Sequence, residues 1–565
     1  MSYRFLILLV VLIAIALSAC TSTAKKSIPP KKPILPKEPI SKEPVSRVPA
    51  ANGFLKTSGT DIVDEQGNKV ILRGVNLGGW LLPEGYLLKL EGGYDRPRMI
   101  DKLIIELAGE DYAKTFWPAY RASYISEDDI RAIAGLGFNH VRIPFNANLF
   151  ISEDDPPQWK EEGFQLLDNV VGWCSKYGIY AIFDMHGAPG GQTGTNIDDS
   201  KNNRPELYTN PADQQKTIDL WAKIAARYKD NPSVAGYDLL NEPIATQFSQ
   251  HIPALVPLYR RMIEAIRAVD SRHIIFLEGA NWANNFGSFP PEPLDANVVY
   301  SFHKYWDQVN PGSISPYTSL SKKLNVPLWC GEFGENNNGW FSSCTRLFED
   351  FRIGWCLWPY KKVDSNSGVY SIPKPNGYDA VIAYTKGGVK PDTASARAAF
   401  DGLLNNMKLQ NCSYNEGVIK ALLKTLPATI EAEDIGFLGE GGSYHDTSEV
   451  NEGKSLHPSE GVDIQAVGYA VGWLEPGEWI GYDVTGLEDH SYAFSFRIAS
   501  PDGKGKFRLE LDGKDITGPI MVGKTGGWNN WAVVTRENVA IPAGSHQLKL
   551  VVIEGGFNID WLKFE

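Results

Sequence analysis

The chain is short of cysteine, with six in 565 residues. None is spaced from another cysteine or from a histidine as zinc ligands are. Setting Cys20 aside, the remaining five (Cys174, Cys330, Cys344, Cys356 and Cys412) are an odd number. That excludes a disulfide framework while leaving room for one pair. Positive charge is also in deficit: 55 Lys and Arg stand against 67 Asp and Glu, for a net charge of −12. This excludes a basic groove for nucleic acid and broad adhesion to anionic membranes. The one long apolar run, residues 5–17, is too short for a confident spanning helix. There is no internal repeat, and no low-complexity tract beyond residues 21–50. What the chain has in quantity is core-forming and aromatic material: 43% hydrophobic residues, 11% aromatics and sixteen tryptophans. At this length two or three domains are expected.

The apolar run follows Arg4 and ends in Leu17-Ser18-Ala19-Cys20. Small residues before a cysteine resemble a bacterial lipobox. The resemblance implies a signal at 1–20 and a lipidated Cys20 that anchors the chain rather than spanning the membrane. A plain secretory signal is the alternative. Thr21 after Cys20, in place of Asp, is similar to outer-membrane sorting, so the expected location is the cell envelope, at the outer membrane or cell surface. Residues 21–50 repeat Pro with Lys and cannot bury enough apolar surface to fold. They are expected to form an extended spacer of very roughly 90 Å at ~3.1 Å per residue.

From residue 51 the text changes. Residues 54–70 predict a hairpin closed by Glu65-Gln66-Gly67-Asn68. Eight apolar runs follow, at 70–77, 140–145, 180–185, 236–240, 273–277, 298–302, 327–330 and 354–358. They are continuous rather than alternating, as fully buried parallel strands should be. Helical stretches lie between them at 127–136, 163–177, 211–228, 257–269 and 317–324, with Ser126 a candidate N-cap. Eight alternations predict an α/β fold, a (β/α)8 TIM barrel over residues 51–408 that closes with a helix at 393–407. A doubly wound open sheet is the alternative. Residues 409–427 read as a connector. From 428 to 565, short strands at 479–484, 492–498, 507–511 and 547–553, separated by turn pairs such as Asp502-Gly503, predict a smaller all-β sandwich of jelly-roll type.

Two of the apolar runs stop at a glutamate followed by a turn-former: Leu239-Leu240-Asn241-Glu242-Pro243 and Trp329-Cys330-Gly331-Glu332-Phe333-Gly334. In a parallel barrel, side chains at strand C-termini converge on one open face. Two carboxylates held there, one neutral and one ionised, can cleave a glycosidic bond. Around them stand Gly74-Val75-Asn76-Leu77-Gly78-Gly79-Trp80, Val141-Arg142-Ile143-Pro144-Phe145, Asp184-Met185-His186-Gly187, Phe302-His303-Lys304-Tyr305 and Gly354-Trp355-Cys356-Leu357-Trp358. Together these seven stretches, at the ends of the proposed strands and in order, resemble glycoside hydrolase family 5, the cellulase and exo-β-1,3-glucanase family of retaining enzymes.

The resemblance implies Glu242 as acid–base and Glu332 as nucleophile, with no cofactor in catalysis. Arg142, with its fork of donors, would hold Glu332 ionised. Asn241 would bind a sugar 2-hydroxyl, His303 would tune Glu242, and Tyr305 would donate to Glu332 or the ring oxygen. With no second ligand at metal spacing, His186 is expected to meet a sugar hydroxyl, and Trp358 to be the stacking floor. The His186-Gly187-Ala188-Pro189-Gly190-Gly191-Gln192 loop is more similar to the exo-β-1,3-glucanase branch than to typical cellulases. The polar insertion at 193–210 is long enough to block one end of a cleft. Trp282, Trp306 and Trp340 follow other strand ends.

The tail carries Ile430-Glu431-Ala432-Glu433, a Trp473 to Trp479 stretch, Gly526-Gly527-Trp528-Asn529-Asn530-Trp531 and Phe557-Asn558-Ile559-Asp560-Trp561. It resembles carbohydrate-binding module family 6. The resemblance implies sugar binding by Trp473, Trp528 and Asn558, and a structural Ca²⁺ at Glu431, Glu433 and Asp560, hard oxygen ligands that suit that ion. Trp479, Trp531 and Trp561 are expected in the sandwich core. The expected whole is a lipid-anchored monomeric hydrolase of a β-glucan, β-1,3-glucan leading and exo attack favoured, by double displacement. The alternatives are a β-1,4-glucanase or a mannan- or xylan-type hydrolase, transglycosylation through the same intermediate, or a non-catalytic surface glycan-binding lipoprotein.

Overall fold

The computed structural model describes residues 53–455, 460–466 and 469–565. The signal at 1–20, lipidation at Cys20 and the spacer at 21–50 lie outside the described residues. The eight apolar runs form β1 Arg73–Asn76, β2 His140–Asn146, β3 Tyr180–Gly187, β4 Val234–Asp238, β5 Ile274–Glu278, β6 Val298–Lys304, β7 Leu328–Gly334 and β8 Gly354–Trp358. They pair in parallel in chain order, and β8 returns to pair with β1, so the barrel is closed. Apart from Arg73, every residue of these strands is buried. Helices cover the outer face and side chains fill the inside, so neither face can afford alternation.

The first 20 described residues seal the end of the barrel away from the strand C-termini. Lys56–Ser58 pairs with Asp61–Val63 across Gly59, and Leu55 and Ile62 pack with Leu72, Tyr180, Ile274, Phe276 and Trp329. The expected turn at 65–68 closes an antiparallel bridge between Val63 and Lys69 and is held by Asp64 Oδ1 accepting from Asn68 N at 2.8 Å. A further turn precedes it at Gly59, whose φ of +60° glycine adopts at little cost.

The helix Glu127–Gly135 begins at Ser126, where Asp129 Oδ2 accepts from the Ser126 amide and hydroxyl at 2.8 and 2.9 Å. The helices Pro97–Ala108, Glu110–Tyr124 and Asn338–Asp350 were not among those expected. In the first of them Ile100, Leu103, Ile104 and Leu107 are buried at helical spacing. Arg96 and Pro97 mark its start, where proline's missing N–H costs nothing.

Both neighbours of β7 shift register against it by one residue. On one side Phe302 pairs with Cys330 but His303 with Glu332; on the other Trp355 pairs with Cys330 but Leu357 with Phe333. The extra residue is in β7 and includes Gly331, where an added Cβ would lie 2.5 Å from Ser301 Oγ. Such a bulge re-aims the side chain that follows it, and here that side chain is Glu332. Glu332 therefore sits inside its strand, whereas Glu242 lies four residues beyond β4, in the turn after it.

The tail is a two-sheet sandwich. One sheet orders Thr429–Glu431, Asn558–Phe564, His490–Ala499 and Ala532–Ile541; the other orders Tyr444–His445, Trp479–Gly486, Gly544–Glu554, Lys506–Leu511 and Lys514–Asp515. Phe494, Phe496, Phe507, Leu550 and Leu562 fill the space between. The expectation for Trp479, Trp531 and Trp561 is corrected: all three are half-buried, outside that core. Lys549 Nζ lies 3.6 Å from the Trp479 ring centroid and Arg497 lies 5.2 Å from that of Trp531, so these rings meet cations at the surface.

The connector is not a loose tether. Val418, Ile419, Leu422 and Leu423 of the helix Glu416–Leu423 join the barrel's apolar core. Lys424 Nζ donates to Thr345 Oγ1 at 3.1 Å, and Asp350 Oδ2 accepts from the Phe437 amide at 2.7 Å. The five cysteines within the described residues are all free thiols. No helix among the described residues is long and apolar enough to cross a membrane.

Candidate active site

The open end of the barrel is built around one guanidinium. Arg142, from β2, is fully buried. Its Nη1 donates to Glu332 Oε1 at 2.6 Å and to Asn76 Oδ1 at 3.1 Å. Nη2 donates to Asn241 Oδ1 and Glu278 Oε1, each at 2.9 Å, and Nε to Asp238 Oδ2 at 2.9 Å. Asp184 Oδ2 lies 3.1 Å from Nη2. A planar fork with five donors fits this many acceptors, which a lysine could not serve.

Glu242 and Glu332 face each other through His303. His303 Nδ1 is 2.8 Å from Glu242 Oε1 and 3.6 Å from Glu332 Oε2. One oxygen of each carboxylate and a ring nitrogen of His303 all lie within 4.8 Å of one another. Tyr305 OH donates to Glu332 Oε2 at 2.9 Å. Burial raises the Glu242 carboxyl above the usual glutamate range; the negative charges of Glu332 and Glu278 add to this and His303 opposes it. Burial disfavours a charged His303, but Glu278 and Glu332 overcome it and hold the imidazolium well above the ordinary histidine range. The arrangement thus offers one carboxyl biased toward its protonated form beside one tied to a guanidinium.

Asn241, His186 and Trp358 complete the floor. Asn241 Nδ2 is 3.2 Å from His186 Nε2, and His186 Nδ1 is 2.7 Å from Asp184 Oδ2. His186 and Trp358 lie parallel, 2° between planes, with centroids 5.3 Å apart. Trp358 Nε1 donates to Tyr86 OH, and Gly78 leaves the space its ring needs, since a Cβ there would lie 2.6 Å away. Trp358 is only 3% exposed and does not line the cleft beside Glu242. From Glu242 a cleft of about 520 Å³ runs outward between the loops after β5 and β6, lined by Trp282, Trp306, Tyr305 and Tyr317. Trp306, 70% exposed, stands at its rim. Trp340 instead binds the Asp307 carbonyl through Nε1 at 3.0 Å and is absent from that lining.

The insertion at 193–210 is tightly built. Asp198 accepts from the amides of Thr193, Gly194 and Ser200 at 2.7–2.9 Å. Asp199 meets Arg98, Asn146 and Asn148, which ties the loops after β1, β2 and β3 together. Gln192 Nε2 donates to the Asn241 carbonyl at 3.0 Å and Thr193 Oγ1 to that of Glu242 at 2.8 Å.

The site also contains acids that sequence reasoning did not single out. Asp184, Asp238 and Glu278 surround Arg142, and Glu84 lies nearby, buried, its Oε1 without a hydrogen-bond partner among the described residues. Burial is the main cause that pushes Glu84 up to about 8, His186 opposing and Glu332 and Glu242 adding. Asp238 and Glu278 each end a strand, the signal that pointed to Glu242 and Glu332. Asp184 was visible in the stretch around His186.

In the sandwich, Trp473 and Trp528 are half-exposed, at 49% and 51%. Asn558 is buried between their segments: its Nδ2 donates to the Trp528 carbonyl at 3.2 Å, and its Oδ1 lies 2.7 Å from where a Cβ on Gly472 would be. Glu433 Oε2 is buried with no hydrogen-bond partner among the described residues, while Asp560 is paired with Arg497. Burial is the main cause that raises Glu433 to about 7, with Glu431, Asp560 and Asp434 adding to it.

A closed parallel barrel with paired carboxylates at its C-terminal mouth, joined to an aromatic-faced sandwich, defines a carbohydrate-active enzyme. Residues 107–364 match the cellulase model of glycosyl hydrolase family 5, and residues 449–565 match carbohydrate binding module family 6. The chain is 30% identical over 345 residues to a beta-xylosidase of Phanerodontia chrysosporium, covering 55% of this chain and 71% of that protein. It is 27% identical over 312 residues to endoglucanase C of Acetivibrio thermocellus, covering 43% and 85%. It is 27% identical over 288 residues to a probable glucan 1,3-beta-glucosidase A of Aspergillus fumigatus, covering 49% and 67%. Among solved structures, an endogalactoceramidase aligns with a TM-score of 0.47 at 16% identity, covering 89% of this chain and all of that one. The chain belongs to glycosyl hydrolase family 5 and carries a C-terminal family 6 carbohydrate-binding module. It is an O-glycosyl hydrolase that acts on β-glycans.

Proposed function

We propose that the enzyme is a retaining β-glucanase that removes sugar units from one end of a β-1,3-glucan, with Glu242 as acid–base and Glu332 as nucleophile. The observation that carries the retaining reading is that one oxygen of Glu242 and one of Glu332 lie within 4.8 Å of each other. Retaining enzymes hold their pair ~5–5.5 Å apart, whereas inverting ones need ~6.5–9.5 Å to admit a water. In the first step Glu332, ionised against Arg142, attacks the anomeric carbon while Glu242 protonates the departing oxygen. In the second, Glu242 as carboxylate takes a proton from water, which displaces Glu332 and restores the starting anomer. Tyr305, donating to Glu332 Oε2, stabilises the charge that returns to that carboxylate.

End-on attack is supported by the asymmetry of the mouth. Asp199 and its partners bridge the loops after β1 to β3, while the cleft with Trp282 and Trp306 opens beside the acid Glu242. A leaving chain has room there and a longer donor chain does not. The β-1,3 preference is supported by the loop following His186 and by the relatives named as glucan 1,3-beta-glucosidases. Proton NMR of the first product, with a time course on reducing-end-labelled laminarin oligomers, tests the reading. Initial β-anomer and stepwise release of unlabelled sugar are expected. Initial α-anomer would overturn retention, early internal fragments would overturn exo attack, and a preference for cellulose, mannan or xylan in a polysaccharide panel would overturn the linkage.

In the module, Trp473 and Trp528 would grip a sugar with Asn558 on its hydroxyls. Glu431 and Glu433, with the orphaned Glu433 oxygen, fit a hard cation such as Ca²⁺. Asp560 fits less well, because it would have to share its carboxylate with Arg497. Anchoring through Cys20 rests on the lipobox text; loss of labelled fatty acid in Cys20→Ala tests it.

A further inference from the structure

The turn that carries Glu242 is strained. Glu242 and Ile244 have φ +42° and +60°, a region that costs a non-glycine residue of order 1–3 kcal/mol and persists only where surroundings enforce it. Two groups enforce it. From one side Gln192 and Thr193 hold the carbonyls of Asn241 and Glu242, as described above. From the other, Glu278 Oε2 accepts from the Glu242 amide at 2.6 Å. The opposite oxygen of the same carboxylate, Oε1, accepts from Arg142 Nη2 at 2.9 Å and lies 3.2 Å from His303 Nε2, an ion-pair contact rather than an aligned hydrogen bond. His303 then meets Glu242 Oε1 through its other nitrogen.

We propose that Glu278 is a positioning residue for the acid–base glutamate: one carboxylate fixes Glu242 twice, at its backbone amide and, through His303, at its carboxyl. Glu278 is wholly buried at the end of β5. Its charge also has a use that a neutral acceptor lacks. His303, Arg142 and the Glu242 amide together hold Glu278 ionised against the cost of burial. Ionised Glu278 in turn keeps His303 an imidazolium, a donor toward Glu242 Oε1. That leaves the other oxygen of Glu242 as the one able to carry the proton for the leaving group. The segment continues to the same turn, because the Asn281 amide donates to the Ile244 carbonyl at 2.9 Å. The β5 end therefore braces the acid at both of its strained residues.

This inference rests on reading Glu242 as the acid–base, and the test separates the two. A misplaced acid matters most when the leaving group is poor and needs a proton. The measurement is kcat/KM of the full chain on phenyl and 2,4-dinitrophenyl β-glycosides of one sugar, with thermal unfolding recorded alongside. Glu278→Gln is expected to lose roughly 10- to 100-fold more on the phenyl than on the dinitrophenyl substrate. Glu242→Ala, run in parallel, should show the same split more strongly. A split in Glu242→Ala with equal losses, or none, on both substrates in Glu278→Gln would overturn the positioning role alone. No split in Glu242→Ala would overturn the acid–base reading beneath it. If Glu278→Gln does not fold, Glu278→Asp retains the charge while withdrawing it from the Glu242 amide; the same split is expected, and uniform loss would overturn the proposal.

Discussion

Arg142 Nη1 lies 2.6 Å from Glu332 Oε1, and neither side chain has appreciable contact with solvent. The pair cannot be treated alone, because Asp184, Asp238 and Glu278 lean on the same guanidinium. Burial pushes the carboxyls of Asp238 and Asp184 up, and Arg142 is the charge that opposes this in each.

Replacing Arg142 should therefore cost stability as well as activity. Arg142→Met leaves buried acids without their cation, a change that destabilises by about 3–5 kcal/mol. Arg142→Lys should fall between, since one ammonium cannot serve acceptors spread around a planar fork. Chemical denaturation of the variants checks this. An Arg142→Met chain with unchanged midpoint would mean the acids are neutral and need no partner.

Glu84 predicts a pH effect with a definite sign. Its pKa rises from 4.5 in the unfolded chain to about 8 in the folded one, so the folded state binds the proton more tightly. Stability contributed here is intact below about 4.5, falls as pH rises toward 8, and is fully lost above it. Glu84→Gln cannot ionise. The melting temperature of that variant relative to wild type should climb between pH 5 and pH 8 and then level off. A difference that stays flat across that window would remove the case for a neutral Glu84.

The cation site proposed for the module at Glu431 and Glu433 implies a second pH effect. Glu433, at about 7, is protonated at pH 5 and a poor ligand there. At pH 8 it is ionised beside Glu431 and Asp560. Added Ca²⁺ should raise the module's melting temperature at pH 8 and leave it unchanged at pH 5, and Glu433→Gln should abolish the response. An equal response at both pH values would place the ion elsewhere.

The eight strands were legible because buried parallel strands leave an unbroken apolar signature, and β2 to β8 are buried along their whole length. Glu242 and Glu332 were legible as acids that interrupt such runs. The same signal stands at Leu277-Glu278-Gly279 and at Tyr237-Asp238 and was passed over, since it does not say which acids face a substrate and which face Arg142. The bulge at Gly331 was not legible at all. It arises from pairing with two neighbours, which no stretch of β7 read alone contains. The three half-buried tryptophans of the sandwich failed for the opposite reason: size suggested core, but cations of adjacent strands, Lys549 and Arg497, cover two of those rings at the surface.

The last prediction concerns how the module works. Trp473 and Trp528 leave about half of their surface open beside the buried Asn558, two amphipathic rings and a polar side chain that a sugar can cover. Trp473→Ala or Trp528→Ala should weaken binding of the chain to soluble β-glucan by tenfold or more, about 1.4 kcal/mol, as read by affinity electrophoresis. The Glu416–Leu423 helix ties the module to the barrel and the Asp350 to Phe437 contact touches it there, so glucan captured by the module is raised in local concentration for the barrel. The variants should therefore lose rate on polymer at low concentration, recover it at saturation, and keep full kcat/KM on a small aryl glycoside. An equal loss on the small substrate would mean that these rings support the fold rather than the glucan.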